Sequence, residues 1–357
     1  MRFLVTGGAG FIGSAVCRHL VGVEAGQVLN VDKLTYSSDL RSLTSIENHP
    51  NYQFIQADIC DREAIVSILK KWQPTIILHL AAETHVDRSI TGAAPFVETN
   101  IRGTFTLLET CRDYFEGLSP ALKAAFRFVH VSTDEVFGSL GPTGAFNESS
   151  PYQPNSPYSA SKAAADHLVR AWFHTYGLPT LTTNCSNNYG PYQFPEKLIP
   201  LMTIQAMRRQ KLPVYGTGLN VRDWLHVEDH ARALLAVARN GRVGETYAIG
   251  GQSERNNLQV VEAICDQLDK RDPGPQPRRH LIQFVADRPG HDARYAIDSS
   301  KITRDLSWHA LHNFESGLSN TIDWYFGSQT WWEPHLRSVQ AIASQPVLEP
   351  SESGTTP

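Results

Sequence analysis

The stretch VSTDEVFG, Val131 to Gly138, ends an apolar run with a hydroxyl and two carboxylates in a row: Thr133, Asp134 and Glu135. Adjacent acids can serve as proton donor and proton acceptor in one pocket. One of them must then keep its proton near neutral pH, through burial or through its neighbour's charge. Capping of the following turn is the plain structural alternative. Further along, PYSASK sets Tyr158 and Lys162 four apart, so on a helix they project from one face.

A third motif says what these groups work with. TGGAGFIG follows the first apolar run and opens a helical pattern, giving Gly8-x-Gly10-x-x-Gly13 with Gly7 in addition. Glycines there let the backbone turn tightly and approach a pyrophosphate, whose charge sits on the helix N-terminus. Asp32 ends the second run about 20 residues on, where a carboxylate hydrogen-bonds an adenosine ribose and repels a 2′-phosphate. NAD is therefore expected rather than NADP. Asp58, in QADI, is placed to reach the adenine, or is a solvated strand-end acid. A phenol of pKa near 10 is a poor base, but a neighbouring ammonium and a positive nicotinamide ring both favour the phenolate. Tyr158 then suits removal of an alcohol proton as hydride leaves.

The elements that must hold these groups alternate through the first half. Apolar, β-rich runs at Phe3–Val5, Val28–Val31, Phe54–Ala57, Ile76–Leu80, Phe128–Val131 and Leu181–Asn184 are separated by helical patterns. These include Ala64–Trp72, Asn100–Phe115 and Pro157–Tyr176, the last with Ser156 as N-cap and Gly177 as stop. This predicts an α/β fold: a Rossmann-type doubly wound parallel sheet with a smaller mixed α/β substrate-binding lobe. After Asn187 the chain turns rich in Gly, Pro and aromatic residues, as in NNYGPYQFPEKLIP, which reads as binding loops and short elements. Residues 1–186 and 223–250 are assigned to the dinucleotide domain, with Thr246–Ile249 as a returning strand. Residues 187–222 and 251–335 are assigned to the lobe, and 345–357 to a polar, disordered tail.

The Thr133, Tyr158 and Lys162 set resembles that of the extended short-chain dehydrogenase/reductases. Within them, TGGAGFIGS, VDKLTYS, LAAETHVDRS, VSTDEVFG, PYSASKAAAD, NCSNNYGPYQFPEKLIPL, GLNVRDWLHVEDH and DRPGHDARYAID are similar to the 4,6-dehydratases that act on dTDP-glucose. The resemblance runs from residue 4 to about residue 298. It implies that Glu135 takes the sugar C5 proton and Asp134 protonates the departing C6 oxygen, after C4 has been oxidised with Thr133, Tyr158 and Lys162. It also implies a cofactor site of Gly7, Gly10, Phe11, Ile12, Gly13, Asp32, Lys33, Thr35, Ser38, Asp58, Ile59, Leu80, Ala81, Ala82, Thr99, Tyr158, Lys162 and Asn188. Asn187, Lys197, Leu198, Pro213, Tyr215, Arg222, Asn257, Arg288, His291 and Tyr295 would surround the nucleotide diphosphate, with Thr84 and Glu196 at the glucose. The sequence departs from that pattern at Phe137 (usually Tyr), Thr84 (Ser), Thr217 (Asp) and Ala293 (Arg); none is a catalytic group.

Composition sets the bounds. The chain has 357 residues, 41% of them apolar, and a net charge of −4, so no global basic field holds nucleic acid or an anionic membrane. Five cysteines without CxxC spacing fit neither a disulfide framework nor a metal site and point to reduced cytoplasm. Apolar residues on more than one face of Asn100–Phe115 and Pro157–Tyr176 suit a two-fold helix bundle, hence a homodimer, or else burial within one chain. Two rival functions share parts of this reading. A nucleotide-sugar 4-epimerase would keep Tyr158 and Lys162 without needing Asp134 and Glu135. A non-enzymatic NAD sensor or scaffold would be free to lose the Tyr158/Lys162 pair and the cationic sugar-nucleotide lobe, and this sequence keeps both.

Overall fold

The computed structural model describes residues 1–343, so the segment 345–357 lies outside the described residues. In chain order the strands are β1 (Arg2–Thr6), β2 (Gln27–Asp32), β3 (Tyr52–Gln56), β4 (Ile76–His79), β5 (Arg127–Thr133) and β6 (Thr180–Cys185). They continue with β7 (Asn187–Tyr189), β8 (Leu212–Tyr215), β9 (Val221–His226), β10 (Thr246–Ile249), β11 (Glu254–Asn256) and β12 (Ile282–Val285). Seven form one sheet in the order β10-β6-β5-β4-β1-β2-β3, and every pairing in it is parallel. Parallel strands need crossovers that cover both faces, so β4 and β6 are buried along their whole length, with no alternation of buried and exposed positions.

Two cores follow from that geometry. On one face, helices Phe11–Gly22 and Val227–Asn240 bury Val16, Leu20, Leu234 and Val237 against Phe3, Val5 and Val129. On the other, helices Arg62–Trp72, Thr104–Glu116 and Pro157–Tyr176 bury Ile65, Leu107, Val169 and Trp172 against Leu4, Ile77 and Phe128. Full burial of each such side chain is worth about 1.5–3 kcal/mol before entropy is counted. Helix Pro157–Tyr176 begins where its sequence says it should. The Ser156 hydroxyl accepts from Ser159 N at 3.1 Å in a reciprocal capping box, and Gly177 closes it at φ 69°. The helix expected over Asn100–Phe115 begins earlier, as a π-helical turn over Val97–Gly103.

The smaller lobe carries a three-stranded sheet, β11-β9-β7, and a parallel pair, β12-β8. Helices Leu198–Met207, Asn257–Arg271 and Phe314–Gly327 pack on them. The boundary expected at residue 223 falls inside β9, which pairs with β7 and β11, so the return to the main sheet starts with helix Val227–Asn240. Phe137, where tyrosine was the expected type, is buried against Phe146 and Tyr152, an apolar niche that asks for no hydroxyl. Among the described residues no helix is long and apolar enough to cross a membrane.

Candidate active site

The strand order reverses between β1 and β4, and a deep cleft opens at the carboxyl ends of these strands. The glycine turn after β1 forms one end of it. Gly7 has φ 71°, and a Cβ there would lie 2.7 Å from Ala81 N; a Cβ on Gly13 would lie 2.1 Å from Gly7 O. Only glycine permits this approach of loop, helix and β4. Gly10 starts the helix without any side-chain cap, which leaves the first-turn N–H groups for an anion. Asp32 is 5% exposed and accepts from Ala9 N at 3.0 Å, Leu34 N at 2.8 Å and Ser38 Oγ at 3.0 Å, which fixes the carboxylate at the ribose end. Lys33 donates to Thr99 Oγ1 at 2.9 Å.

Of the expected cofactor residues, Gly7, Gly10, Phe11, Ile12, Gly13, Asp32, Lys33, Thr35, Ser38, Ile59, Leu80, Ala81, Ala82, Thr99, Tyr158, Lys162 and Asn188 line this cleft. Asp58 is not on its wall: its Oδ1 accepts from Cys60 N at 2.9 Å and its Oδ2 lies 3.9 Å from Lys33 Nζ, beside the rim. The glycine cradle, the free helix terminus and the fixed carboxylate fit a dinucleotide.

Thr133, Asp134 and Glu135 stand at the end of β5 on the same cleft, facing Tyr158 and Lys162 of helix Pro157–Tyr176. Asp134 is 1% exposed; Thr133 Oγ1 donates to its Oδ1 at 3.3 Å, and its Oδ2 has no partner among the described residues. Burial, then the charges of Glu135 and Asp223, hold the Asp134 carboxyl well above the usual carboxylate range. Glu135 is only half-buried, and burial raises it too, but Arg288, Arg222 and Lys197 all act against that rise. Neighbouring acids thus meet different fields. Both carboxyls are raised on balance, but Glu135 and Asp223 add to the rise at Asp134, whereas three cations oppose it at Glu135, where only Asp292 adds to burial.

Tyr158 is governed by burial. Burial and the Glu135 charge push its phenol well above 10, and Lys162, whose Nζ donates to Val131 O at 2.9 Å, is itself lowered by burial. The chain's own groups hold Tyr158 as a neutral phenol, so Lys162 alone does not make the base.

Thr84, Asn187, Glu196 and Lys197 also reach the cleft wall, whereas Leu198, Pro213, Tyr215, Arg222, Asn257, Arg288, His291 and Tyr295 do not. Several of these still surround it. Arg222 is buried with its guanidinium 4.3 Å over the Tyr295 ring, and Arg288 reaches Asp87 Oδ1 at 3.3 Å. His291 Nδ1 pairs with Asp287 at 2.6 Å. Tyr215 is exposed on β8 beside Pro213, and Asn257 opens its helix by donating to Asn220 O at 3.1 Å. Ser132, Cys185, Ser186, Gln193 and Phe194 line the cleft and escaped the sequence reading. Only the Gly/Pro/aromatic texture of NNYGPYQFPEK pointed to the last two. His79 is a satisfied core histidine, bonded to Thr6 at 2.8 Å and Thr104 at 3.0 Å.

A seven-stranded parallel sheet with this glycine turn and the Thr133, Tyr158 and Lys162 set defines an extended short-chain dehydrogenase/reductase. A family model described as GDP-mannose 4,6 dehydratase matches residues 4–321. A protein of Sinorhizobium fredii named probable dTDP-glucose 4,6-dehydratase is 59% identical over 98% of this chain and 99% of its own length. The solved dTDP-glucose 4,6-dehydratase of Streptomyces venezuelae, with NAD bound, superposes with TM-score 0.87 at 44% identity, over 94% of this chain and all of that one. That of Bacillus anthracis, in complex with NAD, gives 0.84 at 45% identity, over 94% and 99%. The chain belongs to the dTDP-glucose 4,6-dehydratases.

Proposed function

We propose that this protein is an NAD-dependent lyase that removes water from dTDP-glucose to give dTDP-4-keto-6-deoxyglucose. The observation that carries the reading is the unlike pair Asp134 and Glu135 on one cleft with Tyr158. The glycine turn, Asp32 and Lys162 would hold NAD, which would supply a hydride acceptor at C4 and a donor at C6, with no net redox change. The chain's residues manage the protons. Thr133 and Tyr158 would hydrogen-bond the C4 hydroxyl, and Tyr158, as its phenolate, would accept that proton as hydride leaves C4. The C4 ketone acidifies C5, and Glu135, kept ionisable by Arg288, Arg222 and Lys197, takes the C5 proton. Asp134 then donates through its unpartnered oxygen to the leaving C6 hydroxyl, water departs, and Glu135 gives its proton back to C5 as C6 is reduced.

Residues 1–186 and 223–250, with β9 shared, would hold the dinucleotide, and 187–222 with 251–335 the sugar nucleotide, whose diphosphate suits Arg222 and Arg288. The protein would act in the cytoplasm, since its five cysteines are free. Exposed Val97, Phe105 and Tyr176 on the helices that cover one sheet face suit a homodimer formed through a helix bundle. Incubation of the purified protein with dTDP-glucose should yield the 4-keto-6-deoxy product, seen by mass. Turnover of a UDP-, CDP- or GDP-sugar with none of dTDP-glucose would overturn the assignment, and simple C4 inversion would favour a 4-epimerase.

A further inference from the structure

Tyr36 takes no part in the chemistry above, yet it joins the two ends of the cleft. It lies in the loop after β2, among Lys33, Thr35 and Ser38 at the dinucleotide end. That loop is tied to the glycine turn through Asp32, which accepts from both Ala9 N and Ser38 Oγ at 3.0 Å, and through Asp39 N, which donates to Ala9 O at 2.9 Å. In the other direction, the Tyr36 hydroxyl donates to Glu196 Oε1 at 2.9 Å, on the loop that begins the sugar lobe. Arg88 closes the triangle. Its guanidinium lies 3.6 Å over the Tyr36 ring and donates to Glu196 Oε2 at 3.3 Å. Phe194 meets the same ring edge-on at 5.5 Å.

We infer that Tyr36 couples the two sites, so that order in the cofactor loop fixes the Glu196 carboxylate and thereby the hexose. The inference rests on the proposed placement of glucose beside Glu196. Tyr36 and Arg88 each satisfy one oxygen of Glu196, and each oxygen keeps a further lone pair for a sugar hydroxyl. The side chain of Glu196 is 7% exposed, with His85 Nε2 at 3.7 Å, so it has little freedom to swing away. Without the Tyr36 hydroxyl the carboxylate loses one of two fixed donors and its link to the dinucleotide loop. Coupling of this kind is reciprocal: a hexose tightens the dinucleotide by the factor by which the dinucleotide tightens the hexose.

Tyr36→Phe is a clean probe, because it keeps the ring beneath Arg88 and beside Phe194 and deletes only the hydroxyl. The affinity of the full chain for NAD would be measured alone, with dTDP, and with dTDP-xylose, which carries the sugar ring but has no C6 to lose. In the wild type dTDP-xylose should tighten NAD roughly tenfold beyond dTDP, the scale of one charge-assisted hydrogen bond. In Tyr36→Phe that extra factor should vanish, KM for dTDP-glucose should rise about as much, and dTDP affinity should stay unchanged. Survival of the extra tightening in Tyr36→Phe, or an equal loss of dTDP affinity, would overturn the coupling. Wild-type enzyme that leaves dTDP-glucose untouched would overturn the function instead.

Discussion

Asp134→Asn replaces the buried acid with the neutral isostere of its protonated form. The amide oxygen can keep the Thr133 bond made at 3.3 Å, and the amide nitrogen takes the place of the unpartnered Oδ2 but releases no useful proton. Losing a general acid costs roughly 10²–10⁴ in rate, or about 3–5 kcal/mol of barrier. Release of the C5 hydrogen to solvent, which uses Glu135, should outlast loss of water from C6. Stability should move the other way. Burial, Glu135 and Asp223 raise the folded carboxyl well above its unfolded value near 3.9. Above about pH 4 the unfolded chain sheds this proton while the folded one retains it, so wild-type stability falls as pH rises toward the folded pKa. Each pKa unit of separation is worth about 1.4 kcal/mol, and each kcal/mol moves Tm by at most about 2–4 °C in a chain of this size. Asparagine has no proton to lose. The variant should match wild type near pH 3, below the unfolded pKa, and melt several degrees higher at pH 8, measured calorimetrically with NAD saturating. A melting difference that does not change between those pH values, or a dehydration rate within about tenfold of wild type, would refute the reasoning.

Three further outcomes can be checked. Arg288 is the largest influence opposing the rise of Glu135, so Arg288→Met should move the acid limb of the kcat–pH profile to higher pH at saturating substrate. Asp39 is held down to about 2, against the effect of burial, by His335 at 2.8 Å and by Arg41. Its contribution to stability is thus present above about pH 4 and lost as pH falls toward 2, so the urea midpoints of wild type and Asp39→Asn should converge over that interval. Phe105 is 45% exposed, and Phe105→Glu should give a monomer by sedimentation, with the melting point lowered only slightly.

The glycine turn, Asp32 and the Thr133, Tyr158 and Lys162 set that share the cleft were legible because their signals are local. A glycine turn after a strand, an acid ending the next strand and Tyr158 four residues before Lys162 each sit within a few residues, where spacing dictates geometry. The capping box at Ser156 and the αL stop at Gly177 are of the same kind. The second lobe was less legible. Its strands β7 and β11 are three residues long, too short for a period to register, and β9 pairs with them across gaps in sequence. The link from Tyr36 to Glu196 spans 160 residues, and nothing in VDKLTYS reports that its tyrosine has a carboxylate partner.

Electrostatics were least legible of all. Adjacency alone predicts that one acid of Asp134 and Glu135 raises the other, but not which. Beyond burial, which raises both, the difference comes from residues in other parts of the chain: Asp223 on β9 adds negative charge beside Asp134, while Arg288, Arg222 and Lys197 outweigh Asp292 in opposing the rise of Glu135. The same logic bears on Tyr158. Lys162 lies one helical turn away, but its ammonium donates to Val131 O and is lowered by burial, while Glu135 works against the phenolate. A base that the chain alone keeps neutral must rely on charge brought into the cleft. In the proposed reaction the positive charge of a bound dinucleotide would favour the Tyr158 phenolate, which would tie proton removal at C4 to the presence of the oxidant.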